Sequence, residues 1–440
     1  MSIREIFQWI VGILFGLTSV FTVAMPTQLA LMTTGKVRDV LPVAGDFVPA
    51  VRLVTFTDSH NRNDNVGNAI DAAYRLFDED NTYPGIDAFI GLGDFTSIGG
   101  EDDYRRYAET LREHVKDDTL MINIHGNHEF KDDNYREFFL KYFGHEPDTV
   151  TEINGFSCIA FSGVRSMTEW TFTPESLVWL DNAISRAEKT ADGKAVFVFQ
   201  HPHIWGTVFP SAFWSDPQLN PVFVKHPGVV DFSGHSHFPL NDPRSIYQST
   251  YTAVGCGAMA TFDLDKNGIP GQYPDGFDKA AQICVIEADN DGSVRIRGYD
   301  VFSLTCICDY YIEDVNDQST YSYTQVNRIA HDTAPVFAAE TKASARKNEN
   351  GEWVLSFDEA KAAEGYVVHS YKITISDDRG LPVFAGTFVN DYYVFDDDNT
   401  ADFRIPGDKL RTGNAYSLTV VAESAYHKYS GPLKLSFIAE

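Results

Sequence analysis

Between Val51 and about Asp300, short runs rich in β-branched and aromatic residues alternate with amphipathic stretches of helical spacing, and this alternation constrains the fold most. It is the signature of a layered α/β domain. Val51–Phe56, Ala88–Gly91, Leu120–Ile124, Phe156–Phe161, Ala195–Gln200 and Val229–Ser233 read as strands. Val66, Ile70, Ala73 and Phe77 mark a helix between the first two, and Thr173-Pro174-Glu175 reads as a capped helix start. Gln282–Ala288 and Ser293–Tyr299 flank the turn-forming Asp289-Asn290-Asp291-Gly292, which predicts an antiparallel hairpin.

The ends of the predicted strands carry the chemistry. The first runs into Thr57-Asp58-Ser59-His60 and the second into Gly91-Leu92-Gly93-Asp94. The third ends in His125-Gly126-Asn127-His128-Glu129, the fifth in Gln200-His201-Pro202-His203, and the sixth in Gly234-His235-Ser236-His237. Carboxyl ends of strands in an open α/β sheet converge on one crevice, so residues remote in sequence can meet there. A single strand-end histidine is more often a hydrogen-bonded turn residue than a ligand, but five such motifs together reverse that balance. Asp, His and Asn without a thiolate suit borderline to hard divalent cations such as manganese, iron or zinc. Seven side chains exceed the needs of one tetrahedral ion, so two ions sharing a carboxylate is the economical arrangement.

In this order D-x-H, G-D, G-N-H-E, H and G-H-S-H resemble the calcineurin-like metallophosphoesterases, over about residues 50 to 300. The resemblance implies a two-sheet β-sandwich flanked by helices and a dinuclear site that hydrolyses phosphate mono- or diesters. It implies that Asp58, His60, Asp94 and His237 hold one ion, that Asp94 bridges, and that Asn127, His201 and His235 complete the second. His128 would lie beside the substrate and assist the leaving group. Three residues past Asp94, where purple acid phosphatases carry an iron-binding tyrosine, this chain has Ser97, which argues against an iron-tyrosinate centre. Arg62 and Arg165 are candidate substrate contacts, and His203 either supports the ligands from behind or touches substrate. The loop from Ile204 to Pro221, with Trp205, Phe209, Phe213 and Trp214, is either core packing or an apolar lip favouring a substrate with an organic group.

After about residue 313 the pattern changes to strands alone: Trp353–Phe357, Val367–Ser376, Val383–Val389, Ala415–Ala422 and Leu433–Ala439. Leu410, Gly413, Tyr416 and Trp353 resemble a fibronectin type III module, an all-β immunoglobulin-like sandwich whose tyrosine bonds back to a strand corner. Such a module spaces, docks or binds, for instance at a cell surface or polymer. The expected organisation is residues 1–30 as a signal peptide or membrane anchor, 47–312 as the phosphoesterase-like domain, 313–335 as a linker and 336–440 as the sandwich.

The chain of 440 residues carries 62 acidic and 35 basic side chains, for a net charge of −27. That field disfavours nucleic-acid polymers as partners and leaves a small phosphorylated substrate, to which metal ions supply local positive charge. The uncharged apolar run Trp9–Ala24 reads as an export signal or uncleaved anchor, which would place the chain outside the cytoplasm, secreted or membrane-anchored. Five irregularly spaced cysteines do not form a disulfide framework. Asp263–Gly268 begins like a calcium loop but has Pro274 at the twelfth position, so a polar turn is expected. The competing reading is a catalytically silent member of the fold used for adhesion at the cell surface, but the filled ligand set argues against it.

Overall fold

The computed structural model describes residues 37–163, 172–274, 276–395 and 399–440. The expected N-terminal signal or anchor and Arg165 lie outside the described residues. No helix of the described residues is long and apolar enough to cross a membrane.

Two six-stranded sheets form the larger unit. The first runs Cys306–Ile312, Val294–Asp300, Gln282–Ala288, Val51–Phe56, Ala88–Gly91, Leu120–Asn123. The second runs Ile246–Gln248, Thr252–Gly255, Val229–Ser233, Val196–Phe199, Phe156–Ala160, Thr149–Ile153. Val51–Phe56, Ala88–Gly91 and Leu120–Asn123 are mutually parallel, as are Phe156–Ala160, Val196–Phe199, Val229–Ser233 and Thr252–Gly255. Their carboxyl ends therefore point to a common rim.

Period-two alternation partitions the side chains between layers. Leu53, Ile90, Phe197, Phe199 and Phe232 fill the space between the sheets. Val54, Phe56 and Phe89 face outward onto Val66, Ile70, Ala73 and Phe77 of the helix Asn63–Phe77 and onto Tyr104, Tyr107 and Leu111 of Glu101–His114. Val196 and Val198 face Leu180, Ile184 and Ala187 of Pro174–Thr190. The Thr173 hydroxyl accepts from Ser176 N and Pro174 occupies the first helical turn, so that helix starts as its sequence predicts. The Gln282–Ala288 and Val294–Asp300 hairpin is antiparallel as expected.

The C-terminal unit packs a three-stranded sheet, Ala343–Lys347, Trp353–Asp358 and Thr400–Ile405, on a four-stranded one, Pro382–Val389, Val368–Ser376, Ala415–Ser424 and Leu433–Ile438. Trp353, Leu355, Tyr371, Ile373, Leu418 and Val420 fill the gap. Tyr416 Oη accepts from Arg411 N at 2.9 Å, the corner bond of a fibronectin type III-like sandwich.

Segment 313–335 is not a bare spacer. Val315 and Tyr323 enter the core between the large sheets, and buried Arg328 donates to the Pro243 and Ile246 carbonyls. The sandwich also docks on the larger unit. Buried Asp265 accepts from Arg244 Nη2 and from His369 Nε2, each at 2.8 Å, while Asp242 accepts from Arg244 and from Tyr392 Oη. Phe238, Phe262, Leu264 and Tyr393 form an apolar cluster beside this network. Residues Asp263–Gly268 form a hairpin turn on Asn267 and Gly268, both at positive φ, as the missing twelfth ligand implies. All five cysteines are free thiols.

Candidate metal centre

At the common rim the loops are stitched together by backbone bonds. Asp58 N donates to Gly93 O at 3.1 Å, His60 N to Asp94 O at 3.0 Å and Gly234 N to His201 O at 3.0 Å. Asp58, His60, Asp94, His235 and His237 all adopt left-handed φ, between 42° and 72°. This conformation turns the chain sharply as a strand ends, and it costs a non-glycine residue energy, so its concentration here marks a functional site.

Three overlapping groups of donors cluster around Asp94, one of them His60, Asp94 and His128; the other two carry most of the expected ligands. In the first, Asp58, His60 and His237 present atoms within 4.8 Å of one another. His60 Nε2 and His237 Nε2 face each other at 2.9 Å, and Asp58 Oδ1 lies 3.3 Å from His237 Nε2. In the second, Asp94, His201 and His235 converge equally closely. His201 Nε2 is 3.3 Å from Asp94 Oδ2 and 3.2 Å from Asn127 Oδ1. Asp94 Oδ2 is also 3.9 Å from His60 Nε2, so one carboxylate borders both groups.

The donor chemistry fits divalent cations. Asp58 Oδ2 accepts from Thr57 Oγ1 and His235 N, whereas Oδ1 is buried without a hydrogen-bond partner. His201 Nδ1 donates to Leu92 O at 2.7 Å and His237 Nδ1 to Thr261 O at 3.1 Å, which leaves each Nε2 lone pair facing inward. Burial would raise the Asp58 and Asp94 carboxyls, but His237 beside the one and His201 beside the other hold both below the usual carboxylate range. Burial pushes His60 down to about 4. For His201 burial is outweighed by Asp94 and Asp58, which carry it up to about 9. The carboxylates thus call for positive charge, and a proton competes with a cation for it.

Residues 51–239 match the family model of the calcineurin-like phosphoesterases. The chain carries a calcineurin-like phosphoesterase domain. No curated protein matches the chain. Among solved structures, a purple acid phosphatase from yellow lupin (Lupinus luteus) seeds is 11% identical with a TM-score of 0.41, covering 63% of this chain and 57% of its own. A cold-active protein-tyrosine phosphatase from a Shewanella species is 12% identical over 63% of this chain and 86% of its own, with a TM-score of 0.25. Fibronectin(III)-like modules from Clostridium thermocellum are 9% identical over 37% of this chain and 85% of theirs, with a TM-score of 0.16. Similarities this slight bear on neither fold nor chemistry. The chain spans just over half of the lupin enzyme.

Within the phosphoesterase domain, the structure brings all seven predicted ligands and His128 to one rim. His128 is part-exposed, its Nδ1 lies 2.8 Å from both Ser97 O and Lys131 Nζ, and its Nε2 stands 3.9 Å from Asp94 Oδ2. The other expected contacts fare differently. His203 is buried, with Nδ1 bonded to Ser233 Oγ at 2.8 Å and Nε2 to Ser236 Oγ at 2.7 Å. Both ring nitrogens are occupied, so His203 braces the His235-Ser236-His237 turn, the supporting one of its two expected roles. Arg62 is exposed on the turn preceding the first helix, and the structure gives it no role in the centre.

Two contributors, Glu129 and Lys131, escaped the sequence reading. Glu129 is buried, and each carboxylate oxygen takes two donors: Oε2 accepts from Asp94 N and Gly126 N, and Oε1 from Thr96 N and Thr96 Oγ1. It ties the Asp94 loop to the Asn127 loop. Burial and the Asp94 carboxylate push its carboxyl up to about 7, against those donors. Lys131 Nζ lies 2.8 Å from His128 Nδ1 and 3.1 Å from Ser97 O. It follows His128 by three residues across the 3₁₀ turn Glu129–Lys131, the spacing that eclipses two side chains, and that spacing could have revealed it. Trp214 meets the His235 ring edge-on at 5.4 Å.

Proposed function

We propose that this domain hydrolyses phosphate mono- or diesters with two divalent cations, manganese, iron or zinc. Asp58, His60, Asp94 and His237 would hold one, and Asp94, Asn127, His201 and His235 the other. The observation that carries this reading is the position of Asp94, whose Oδ2 faces His60 Nε2 on one side and His201 Nε2 on the other. When bound, such a cation pair polarises phosphoryl oxygens and makes hydroxide available near neutral pH.

The protein's own groups do the rest. Leu92 O and Thr261 hold Nδ1 of His201 and His237, so Nε2 is the atom each would turn to a cation, in competition with the proton that the neighbouring carboxylates favour there. Hydrolysis joins a water oxygen to phosphorus and breaks the ester P–O bond, and the departing alkoxide must take up a proton. With Nδ1 engaged by Ser97 O and Lys131 Nζ, His128 turns Nε2 toward the site and would offer that proton from it. Lys131 beside it adds positive charge at the mouth of an otherwise acidic chain. We read the chain as extracytoplasmic from the apolar run Trp9–Ala24, a reading that fails if a fusion of those residues exports no reporter.

The test is turnover of p-nitrophenyl phosphate and bis-p-nitrophenyl phosphate by the manganese-loaded chain, with bound metal counted in parallel. Chelator and Asp94→Asn should abolish turnover. His128→Ala should lower kcat by about 10²-fold or more while leaving metal content intact. A chain that binds no metal refutes the reading.

A further inference from the structure

We propose that Trp214, with Phe213 beside it, is a stacking platform for a flat aromatic group, an aryl ring or a nucleobase, carried by the phosphoester substrate. The inference rests on the phosphoesterase reading and names the class of substrate that reading leaves open.

Of the aromatic residues in the loop after His203, Phe209 does the packing. Its ring lies 4.8 Å from Phe238 and beneath the Arg244 guanidinium at 4.4 Å. Phe213 and Trp214 do not turn inward. They remain 54% and 38% exposed, although Trp214 touches the ring of His235, one of the residues proposed to hold a cation. Large apolar rings left in water gain nothing from core burial, and the indole of Trp214, beside a polar site, is the side chain best suited to stack on another ring.

The platform is held in place by its backbone. Trp214 N donates to Pro210 O at 3.2 Å, and Trp214 O accepts from His203 N at 3.2 Å. The next two residues, Ser215 and Asp216, pair in parallel with His203 and Ile204. Asp216 then accepts from Gln218 N through Oδ1 and from Phe172 N through Oδ2. Because the loop is ordered before any ligand arrives, a stacked ring gains contact without an ordering cost. A substrate that lacks a ring gains no such contact.

The test compares substrates that share a leaving group. AMP and ribose 5-phosphate are both esters of a primary alcohol, and AMP alone carries a base. Phenyl phosphate serves as the aryl arm. The manganese-loaded full chain should favour AMP over ribose 5-phosphate by roughly tenfold in kcat/KM. Trp214→Ala should raise KM for AMP and phenyl phosphate about tenfold more than KM for ribose 5-phosphate and retain bound metal, while Trp214→Phe keeps most of the preference. Equal losses on all substrates, lost metal in Trp214→Ala, or no preference in the native chain would each overturn the proposal. If no phosphoester is turned over, the phosphoesterase reading fails separately, and calorimetric binding of AMP and ribose 5-phosphate still decides. A preference abolished by Trp214→Ala supports the platform, and equal or absent binding refutes it.

Discussion

Asp265→Asn should loosen the C-terminal sandwich from the phosphoesterase domain, with a cost that depends on pH in a defined sense. Asp265 is fully buried, and its Oδ1 accepts from Arg244 and His369 while its Oδ2 accepts from Gly268 N, each at 2.8 Å. An asparagine that keeps its oxygen toward Arg244 and His369 sets its amide hydrogens against Gly268 N–H, and flipping the amide abandons the other two. Breaking a buried pair costs about 3–5 kcal/mol, but Arg244 keeps its fork on Asp242, so about 2–3 kcal/mol is expected. Burial alone would raise the Asp265 carboxyl, but Arg244, followed by His369, outweighs it and holds the group below the usual range. A carboxylate with a depressed folded pKa stabilises the fold above its unfolded value of about 3.9, and that contribution fades as pH falls through the folded value. The gap between native and variant should therefore be full from pH 5 to 7 and shrink below about pH 4. Urea titration followed by hydrogen exchange in the Leu264–Lys266 and Val368–Ser376 strands would measure it. A gap that stays constant down to pH 3 would refute the assignment of the stabilisation to this carboxylate.

Other substitutions probe the centre itself. Glu129→Gln places an amide against two donors whichever way it turns, because each carboxylate oxygen accepts twice, and should cost about 2–4 kcal/mol by thermal melt and weaken metal affinity. Gly126→Ala puts a Cβ 2.1 Å from Asp94 Oδ1 and 2.4 Å from Asp94 N, so displacement of that carboxylate should lower kcat/KM by about 10²-fold. In metal-free protein His60→Gly should be more stable than His60→Ala by about 1–2 kcal/mol, since glycine alone adopts the left-handed backbone of residue 60 freely. An alanine variant as stable as the glycine one would show that the backbone there is unstrained.

The sequence made the site more legible than its supports. Val51–Phe56, Ala88–Gly91 and Val229–Ser233 are buried on both faces and rich in large apolar residues, and their predicted boundaries agree with the structure. Ala195–Gln200 read long because its flanking residues are buried too, outside the ladder Val196–Phe199. Thr149–Ile153 and Thr400–Ile405 were missed because an edge strand, with one exposed row, shows no continuous apolar run. Glu101–His114 hid behind its acidic and basic residues, although Tyr104, Tyr107 and Leu111 hold the helical spacing that faces the sheet. His203 stayed ambiguous for a different reason. Its position two residues beyond His201 is equally compatible with a ligand and a brace, and the two serine hydroxyls that decide the matter come from another strand end.

The same geometry explains why the motifs contain glycine beside their ligands. A Cβ on Gly234 would stand 2.1 Å from Thr57 Oγ1 and 2.6 Å from Asp58 Oδ2, and one on Gly93, already at positive φ, would meet Gly126 N at 2.4 Å. In each case the glycine of one strand end makes room for another strand end, two of them directly against a carboxylate the centre needs: Gly126 against Asp94, and Gly234 against Asp58. Glycine here answers to close approach between loops more than to any turn of its own. G-D, G-N-H-E and G-H-S-H are therefore interdependent. Each carries a proposed metal donor and a glycine that lets another strand end approach, two of them directly against a proposed donor carboxylate, so a chain that retains all of them retains the geometry of the centre as a unit.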